Sequence, residues 1–185
     1  MKRKLIQVLI VILKPIIFLF FKKKFLKGRY FENNVTGWKW AIQAMWRQKI
    51  LRFNKSVPWP MNHTSTLSNW RNIDFHVDDL NNFQSPGCYF QNFSAKIILG
   101  KGCYIAPNVG LITTNHDLND LDKHLEGKDI VLGKKCWIGM NAVLLPGVHL
   151  GDHTVVGAGS VVTKSFPQGR LVIAGNPAKI IKSIE

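Results

Sequence analysis

Residues 132–162 read LGKKCWIGMNAVLLPGVHLGDHTVVGAGSVV, and the stretch repeats itself every six positions. Large aliphatic residues stand at Leu132, Ile138, Leu144, Leu150, Val156 and Val162. Two places before each comes a smaller or β-branched residue, Cys136, Ala142, Val148, Thr154 and Ser160, with Ile130 the one large exception. A helix repeats at 3.6 and a lone strand at 2, so a period of six belongs to neither. Gly133, Gly139, Gly151 and Gly157 follow four of the aliphatics, where the expectation is a sharp turn free of side-chain clash. A hexapeptide period is the signature of a parallel β-helix. Each hexapeptide supplies one short strand and one corner, three make a triangular coil, and coils stack at about 4.8 Å.

The same phase recurs upstream at Leu99, Ile105 and Leu111, preceded by Ile97, Cys103 and Val109. Continuing from Leu111, the next aliphatic falls at 117, yet the register resumes at Leu132, fifteen residues late. A loop over residues 113–129 must therefore leave one corner, and long loops in compact domains are usually functional or disordered. Asn115, His116 and Asp117 lie at its base. With the loop removed, Cys103, Cys136 and Thr154 share one inward slot in successive rungs and read as small core residues. The three cysteines, Cys88, Cys103 and Cys136, make an odd count without metal-site or disulfide spacing, which suits a reducing compartment.

Charge is concentrated at the start of the chain. Residues 1–30 carry nine Lys or Arg and no acid, supplying +9 of the formal +14. These cations bracket a greasy run and do not cover a folded face, so anionic lipid is the expected partner and nucleic acid is not. From Leu5 to Phe21 the chain is apolar except for Gln7, Lys14 and Pro15. As a straight helix this run reaches about 25 Å, short of the ~30 Å hydrocarbon layer. Lys14 in mid-membrane would cost roughly 2.5–3.5 kcal/mol, and Pro15 removes a helix hydrogen bond beside it. The expectation is a helix broken near Lys14 and Pro15 that dips into one leaflet or lies on it. Both basic flanks then stay at the cytoplasmic face of the cell membrane. No small-residue cleavage site follows, which argues against a secretory signal.

Further on, Trp38, Ala41, Ile42, Met45, Trp46, Lys49, Ile50 and Phe53 fall at three- and four-residue steps among Lys39, Gln43, Arg47, Gln48 and Arg52. This spacing predicts a basic amphipathic helix that docks on a membrane interface, on the β-helix end, or on both. Val57-Pro58-Trp59-Pro60 reads as a linker. NIDFHVDDLNNF, residues 72–83, alternates weakly and is expected to supply irregular strands that close the bottom of the solenoid. The expected organisation is a membrane-associated segment over 1–30, an amphipathic helix with linker or cap over 31–84, and a β-helix over 85–185 with loop 113–129 and tail 164–185.

IAPNVGLITTNH at 105–116, WIGM at 137–140, LPGVHLGDHTVVGAGSVVTK at 145–164 and AGNPAKIIKSI at 174–184 resemble the hexapeptide-repeat acyltransferases. Within that family the chain is similar to the galactoside, maltose and nodulation-factor O-acetyltransferases and to polysaccharide O-acetyltransferases. The resemblance spans 97–184 and leaves residues 1–85 uncovered. It implies an all-β, left-handed parallel β-helix, an exception to the right-handed crossover rule. It also implies a homotrimer that takes acetyl-coenzyme A as co-substrate in the groove between subunits, with no metal. His116 matches the catalytic histidine, in keeping with the need of an alcohol nucleophile for a base poised near neutral pH. Asn115, Asp117 and Asn108 are candidates to orient that ring or meet the acceptor. By the same matching the Met140 backbone amide serves the oxyanion, although Met replaces the Ser or Thr of many relatives. Trp137 and Gly139 line the pantetheine groove, Ala158 bonds to it, and Thr163 and Lys164 lie near the nucleotide. Lys179 and Lys182 meet its phosphates.

The activity implied is transfer of acetyl to a saccharide hydroxyl, on a cell-surface polysaccharide or lipid-linked glycan precursor. N-acetylation of an amino-sugar uses the same base and groove and stays open as an alternative. A membrane-anchored scaffold leaves the groove chemistry without a purpose. The γ-type carbonic anhydrases share the fold, but His149, His153, His116 and His124 do not reproduce their zinc spacing.

Overall fold

The computed structural model describes residues 2–185, with side chains from Val8 onward, and divides them into two units between His63 and Thr64. Residues 64–185 form the β-helix. Its strands are β1 (Thr66–Leu67), β2 (Ile73–Asp74), β3 (Tyr89–Gln91), β4 (Ile97–Leu99), β5 (Tyr104–Ile105), β6 (Gly110–Ile112) and β7 (Ile130–Leu132). They continue as β8 (Trp137–Ile138), β9 (Val143–Leu144), β10 (His149–Leu150), β11 (Val155–Val156), β12 (Val161–Val162), β13 (Leu171–Gly175) and β14 (Ala178–Ser183). Three sheets make the walls of a prism, in the orders β1-β3-β6-β9-β12, β10-β7-β4-β2 and β14-β13-β11-β8-β5. Every pairing is parallel except the closing β13–β14 hairpin.

The sixfold period is realised residue by residue. Leu99 pairs with Leu132 and Leu132 with Leu150, Ile105 with Ile138 and Ile138 with Val156, Leu111 with Leu144 and Leu144 with Val162. All of these side chains, and Cys136, Ala142, Val148, Thr154 and Ser160 before them, are buried. Each large aliphatic removed from water stabilises the prism by about 1.5–3 kcal/mol. The cysteine slot is also as expected: the Cys103 thiol donates to the Gly133 carbonyl, and the Cys136 thiol and Thr154 hydroxyl both donate to the Gly151 carbonyl.

The glycines do different work from that expected. The left-handed backbone falls two residues later, at Lys135, Asn141, Gly147, His153 and Gly159. Gly133 and Gly139 are glycine because the next rung lies against them. A Cβ would stand 2.5 Å from the Asp152 amide nitrogen at the first and 2.6 Å from the Ala158 amide nitrogen at the second.

Between β6 and β7 residues 113–129 leave the prism as a loop, where the broken register places one. At the bottom only Ile73–Asp74 of the 72–83 stretch is strand, and Val77–Phe83 is 3-10 helix instead. The helix caps the open edge with side chains. The Asn82 amide donates to the Cys103 carbonyl and its oxygen accepts from Ile105 N, while Asp79 accepts from Gly102 N. A side chain that mimics a neighbouring strand satisfies backbone groups that would otherwise lose water without gaining a partner. Of residues 64–84, expected to be linker or cap, β1 and β2 are instead part of the β-helix, paired to β3 and β4, while Val77–Phe83 is the cap.

The N-terminal unit departs further from expectation. Helix α1 (Lys2–Phe20) runs through Pro15 without a break. Ile10, Ile17 and Phe21 on one stripe are buried, and Phe18 meets Trp38 edge to face at 6.1 Å, so packing on both sides of the proline carries the helix across it. Lys14 lies 5.0 Å from the Trp38 ring, a cation–π contact. No helix of the described residues is long and apolar enough to cross a membrane. Helix α2 (Thr36–Ala44) passes into a π-helical turn, Met45–Ile50, and ends there, short of Phe53. The turn shifts the helix face: Trp38, Ala41, Ala44 and Gln48 point inward, whereas Trp46, Ile50 and Phe53 of the expected apolar stripe are exposed. Gln48 is only 1% exposed. Its amide group donates to the Asn54, Val57 and Trp59 carbonyls and its oxygen accepts from Met61 N. The segment read as a linker is thereby tied down, and Val57, Pro58, Trp59 and Pro60 are all buried.

Candidate active site

Loop 113–129 is a hairpin with a fixed base. Gln91, at the end of β3, accepts at its side-chain oxygen from the Thr113 and Thr114 amides and donates to the Thr114 carbonyl. The Thr114 hydroxyl crosses to the Leu125 carbonyl, and Lys128 N reaches the Thr113 carbonyl. Above the base, Leu125 N donates to the Asn115 carbonyl and Asp117 N to the Lys123 carbonyl, which sets His116 opposite His124. Sequence reading missed Gln91, because its position in the rung preceding the loop is visible only once β3 is paired with β6.

His116 is exposed, and its Nδ1 lies 2.7 Å from the Leu121 carbonyl. A carbonyl oxygen can only accept, so Nδ1 carries the proton and the neutral ring keeps its lone pair on Nε2. The ring is thus held as a proton acceptor by backbone. Asp117, a candidate for that orienting role, is engaged elsewhere: its Oδ1 accepts from Asn119 N in a local turn. Asn108 is also ruled out as a partner of His116 within one chain. It is a left-handed corner residue between β5 and β6, stacked below the Asn141 corner, on the opposite edge of that sheet from the loop. Asn115 lines a groove of about 470 Å³ beside the loop with Leu125, Glu126, Lys128, Pro146 and Thr163.

The residues matched to acetyl-coenzyme A fall into three places. Gly139, Met140 and Ala158 meet at one corner, where Gly159 N donates to the Met140 carbonyl and Gly139 leaves room for the Ala158 backbone. Trp137 is exposed on the neighbouring wall, in a row with Tyr104, Val155 and Val172, and Lys182 stands opposite Val172 at the end of that row. Lys179 pairs with Ala174 on the same hairpin and is exposed. Thr163 and Lys164 belong to the loop's corner instead; Thr163 shares the groove with Asn115, and the Lys164 ammonium sits 5.7 Å from the Phe166 ring. His116 and the Met140 corner occupy opposite edges of the sheet that contains β6 and β9.

Cysteine chemistry has no opening in this arrangement. All three thiols are buried. Burial pushes the Cys88 thiol up. The adjoining Cys136 thiol, and burial after it, hold Cys103 well above the usual thiol range. Among the described residues no three His, Cys, Asp or Glu side chains converge as a metal site would require.

Residues 129–164 match the family described as bacterial transferase hexapeptide (six repeats). Galactoside O-acetyltransferase of Escherichia coli is 39% identical over 105 residues, covering 52% of this chain and 51% of that one. The chain thus spans about half the length of the curated relatives it matches. A hexapeptide-repeat acetyltransferase of Vibrio cholerae, solved with acetyl-coenzyme A, is 30% identical over 54% of this chain and 55% of its own, with a TM-score of 0.50. An N-acyltransferase of Bacillus cereus has the same fold at 15% identity, with a TM-score of 0.53 over 68% of this chain and 80% of its own. The left hand of the coil is what this similarity implies. By its period, its three parallel walls and these matches, the β-helix of this chain carries the bacterial transferase hexapeptide repeat and is similar to the hexapeptide-repeat acetyltransferases.

Proposed function

We propose that the protein moves acetyl from acetyl-coenzyme A directly to a hydroxyl of a saccharide, on a lipid-linked glycan or cell-surface polysaccharide precursor, with His116 as general base. The observation that carries this reading is the 2.7 Å bond from His116 Nδ1–H to the Leu121 carbonyl, which leaves Nε2 to accept a proton. The thioester supplies an activated acyl group. His116 takes the hydroxyl proton at Nε2 as the oxygen attacks the carbonyl carbon, and returns it to the departing thiolate, so that protons balance over the cycle. The Met140 backbone amide is assigned to the oxyanion. Buried thiols favour this direct route over an acyl-cysteine one.

His116 and the Met140 corner lie on opposite edges of one sheet, so a base from one chain meets a donor corner from the next. That arrangement supports a homotrimer in which each site is shared between two subunits. The N-terminal unit is the membrane-facing part, on the cytoplasmic side. Up to His63 the chain carries fourteen Lys or Arg against the single acid Glu32. Val11, Ile12 and Leu19 of α1 are exposed, and so are Trp46 and Ile50 of the next helix. Apolar side chains ringed by cations suit an anionic lipid surface.

His116→Ala tests the chemistry. Radiolabelled acetyl transfer to extracted membrane glycolipids should fall by about 10²-fold or more, while folding and coenzyme A binding persist. Near-normal transfer in that variant removes His116 from the mechanism.

A further inference from the structure

We infer that His124 is a positioning residue for His116, acting through ring stacking, and that Phe93 backs it from the β-helix. The inference rests on the reading of His116 as the base. The two imidazoles face each other with ring centroids 4.2 Å apart and planes tilted by 36°. Phe93, just beyond β3 in the preceding rung, meets the His124 ring edge to face at 5.1 Å. The hairpin bonds that set residues 116 and 124 opposite each other make the stack a product of the loop's own pairing.

An exposed ring on a loop needs more than one restraint to stay aimed. The Leu121 carbonyl fixes one edge of His116 but leaves the ring free to tilt about that bond. His124 covers a face and removes that freedom, and Phe93 passes the restraint to the corner after β3, where the Asn72 side chain donates to the Phe93 carbonyl. The result is a row from rung to base, Phe93 to His124 to His116, built from residue types that stack well. The stack acts by its shape, so an aromatic ring without titrating nitrogens serves in place of His124.

The test compares His124→Ala, His124→Phe and His116→Ala in the full-length protein. It uses acetyl transfer from acetyl-coenzyme A to extracted membrane glycolipids and the ring nitrogen spectrum of His116. Loss of aim typically costs up to about 100-fold in turnover. His124→Ala should lower kcat by about tenfold to a hundredfold with KM for acetyl-coenzyme A unchanged. His124→Phe should restore kcat to within about threefold of the native value, on the same scale. In the spectrum the native protein and His124→Phe keep the proton on Nδ1 of His116. His124→Ala reverts to the mixture of tautomers of a free side chain, because the bond to Leu121 is no longer held. Phe93→Ala should produce a weaker form of the same defect and add little to His124→Ala. Full kcat in His124→Ala overturns the inference. So does a His124→Phe variant as inactive as His124→Ala, since that assigns the role to imidazole chemistry and not to stacking. If His116→Ala retains transfer, the base reading itself fails. If His116→Ala is dead and His124→Ala is not, only the positioning role falls.

Discussion

In residues 64–185 the fate of a side chain follows from its place in a six-residue count, whereas in residues 1–63 it follows from contacts that no count reveals. The difference also shows in charge. The β-helix carries eleven Lys or Arg against ten acids, close to balance, while nearly all the net charge lies in the N-terminal unit. A solenoid repeats one local solution, so its core is a column of equivalent positions such as Leu111, Leu144 and Val162. The N-terminal unit solves its packing once, with aromatic residues around Trp38 and Trp59 and one buried amide at Gln48. What this teaches is that damage should stay local in different ways: a repeat position weakens one rung, while Gln48 gathers several backbone groups of the 54–61 segment at one side chain.

Gln48→Leu is the sharpest way to separate the units. It withdraws a donor from the Trp59 carbonyl and an acceptor from Met61 N, both in buried backbone, while the Val57 carbonyl keeps the Lys49 ammonium. At about 1–3 kcal/mol for each buried group left unmatched, the cost is about 4 kcal/mol. Hydrogen exchange should accelerate across residues 54–61 and leave the β-helix rungs protected. Equal acceleration in both units would mean that they fold as one.

Leu144→Ala is the converse. It opens a cavity in the central column and should cost about 2–5 kcal/mol, read as faster exchange in β6, β9 and β12 and none in residues 1–63. The position is fully buried between Leu111 and Val162, so a loss below about 1 kcal/mol would contradict the close packing assigned to the column.

Lys49 gives the N-terminal unit a pH dependence that the β-helix does not share through this group. Burial, and then the Lys55 charge, lower its pKa from 10.5 to about 8. Below pH 8 the ammonium is charged in both folded and unfolded chains and its burial penalty is fully present. Between pH 8 and 10.5 the unfolded chain holds a proton that the folded chain has released, so stability rises with pH across that window. Thermal unfolding of residues 1–63 should shift upward from pH 8 to 10, and Lys49→Gln should flatten the slope. The Lys49 ammonium also donates to the Lys55 and Val57 carbonyls, which the amide of Gln cannot fully replace, so the variant is judged on slope and not on absolute stability.

The smallest effect is expected at Cys103. Its side chain is a spacer in the slot shared with Cys136 and Thr154, and Thr154 already places a hydroxyl there. Cys103→Ser should keep acetyl transfer within about twofold of native, since a remote, independent site leaves the catalytic energetics nearly unchanged. Trapping of an acetylated cysteine during turnover would overturn the direct route.

Read from the sequence alone, the period located the column of inward aliphatic residues between Ile97 and Val162 and the point at which the loop leaves, because parallel strands stacked at one spacing force equivalent residues into equivalent slots. It also singled out His116, through a resemblance that carries residue types but not orientations. The tertiary structure alone decided the rest. Which atom of His116 accepts a proton depends on the Leu121 carbonyl five residues away, and the loop base on Gln91 in another rung. The role of Gly133 and Gly139 depends on the backbone of the next coil. In residues 1–63 the segment 57–60 changed from linker to core because Gln48, a polar residue on a helix, turned inward across a π turn to meet it. Periodicity records only what a fold repeats; a contact made once, between positions of unrelated spacing, leaves no period to read.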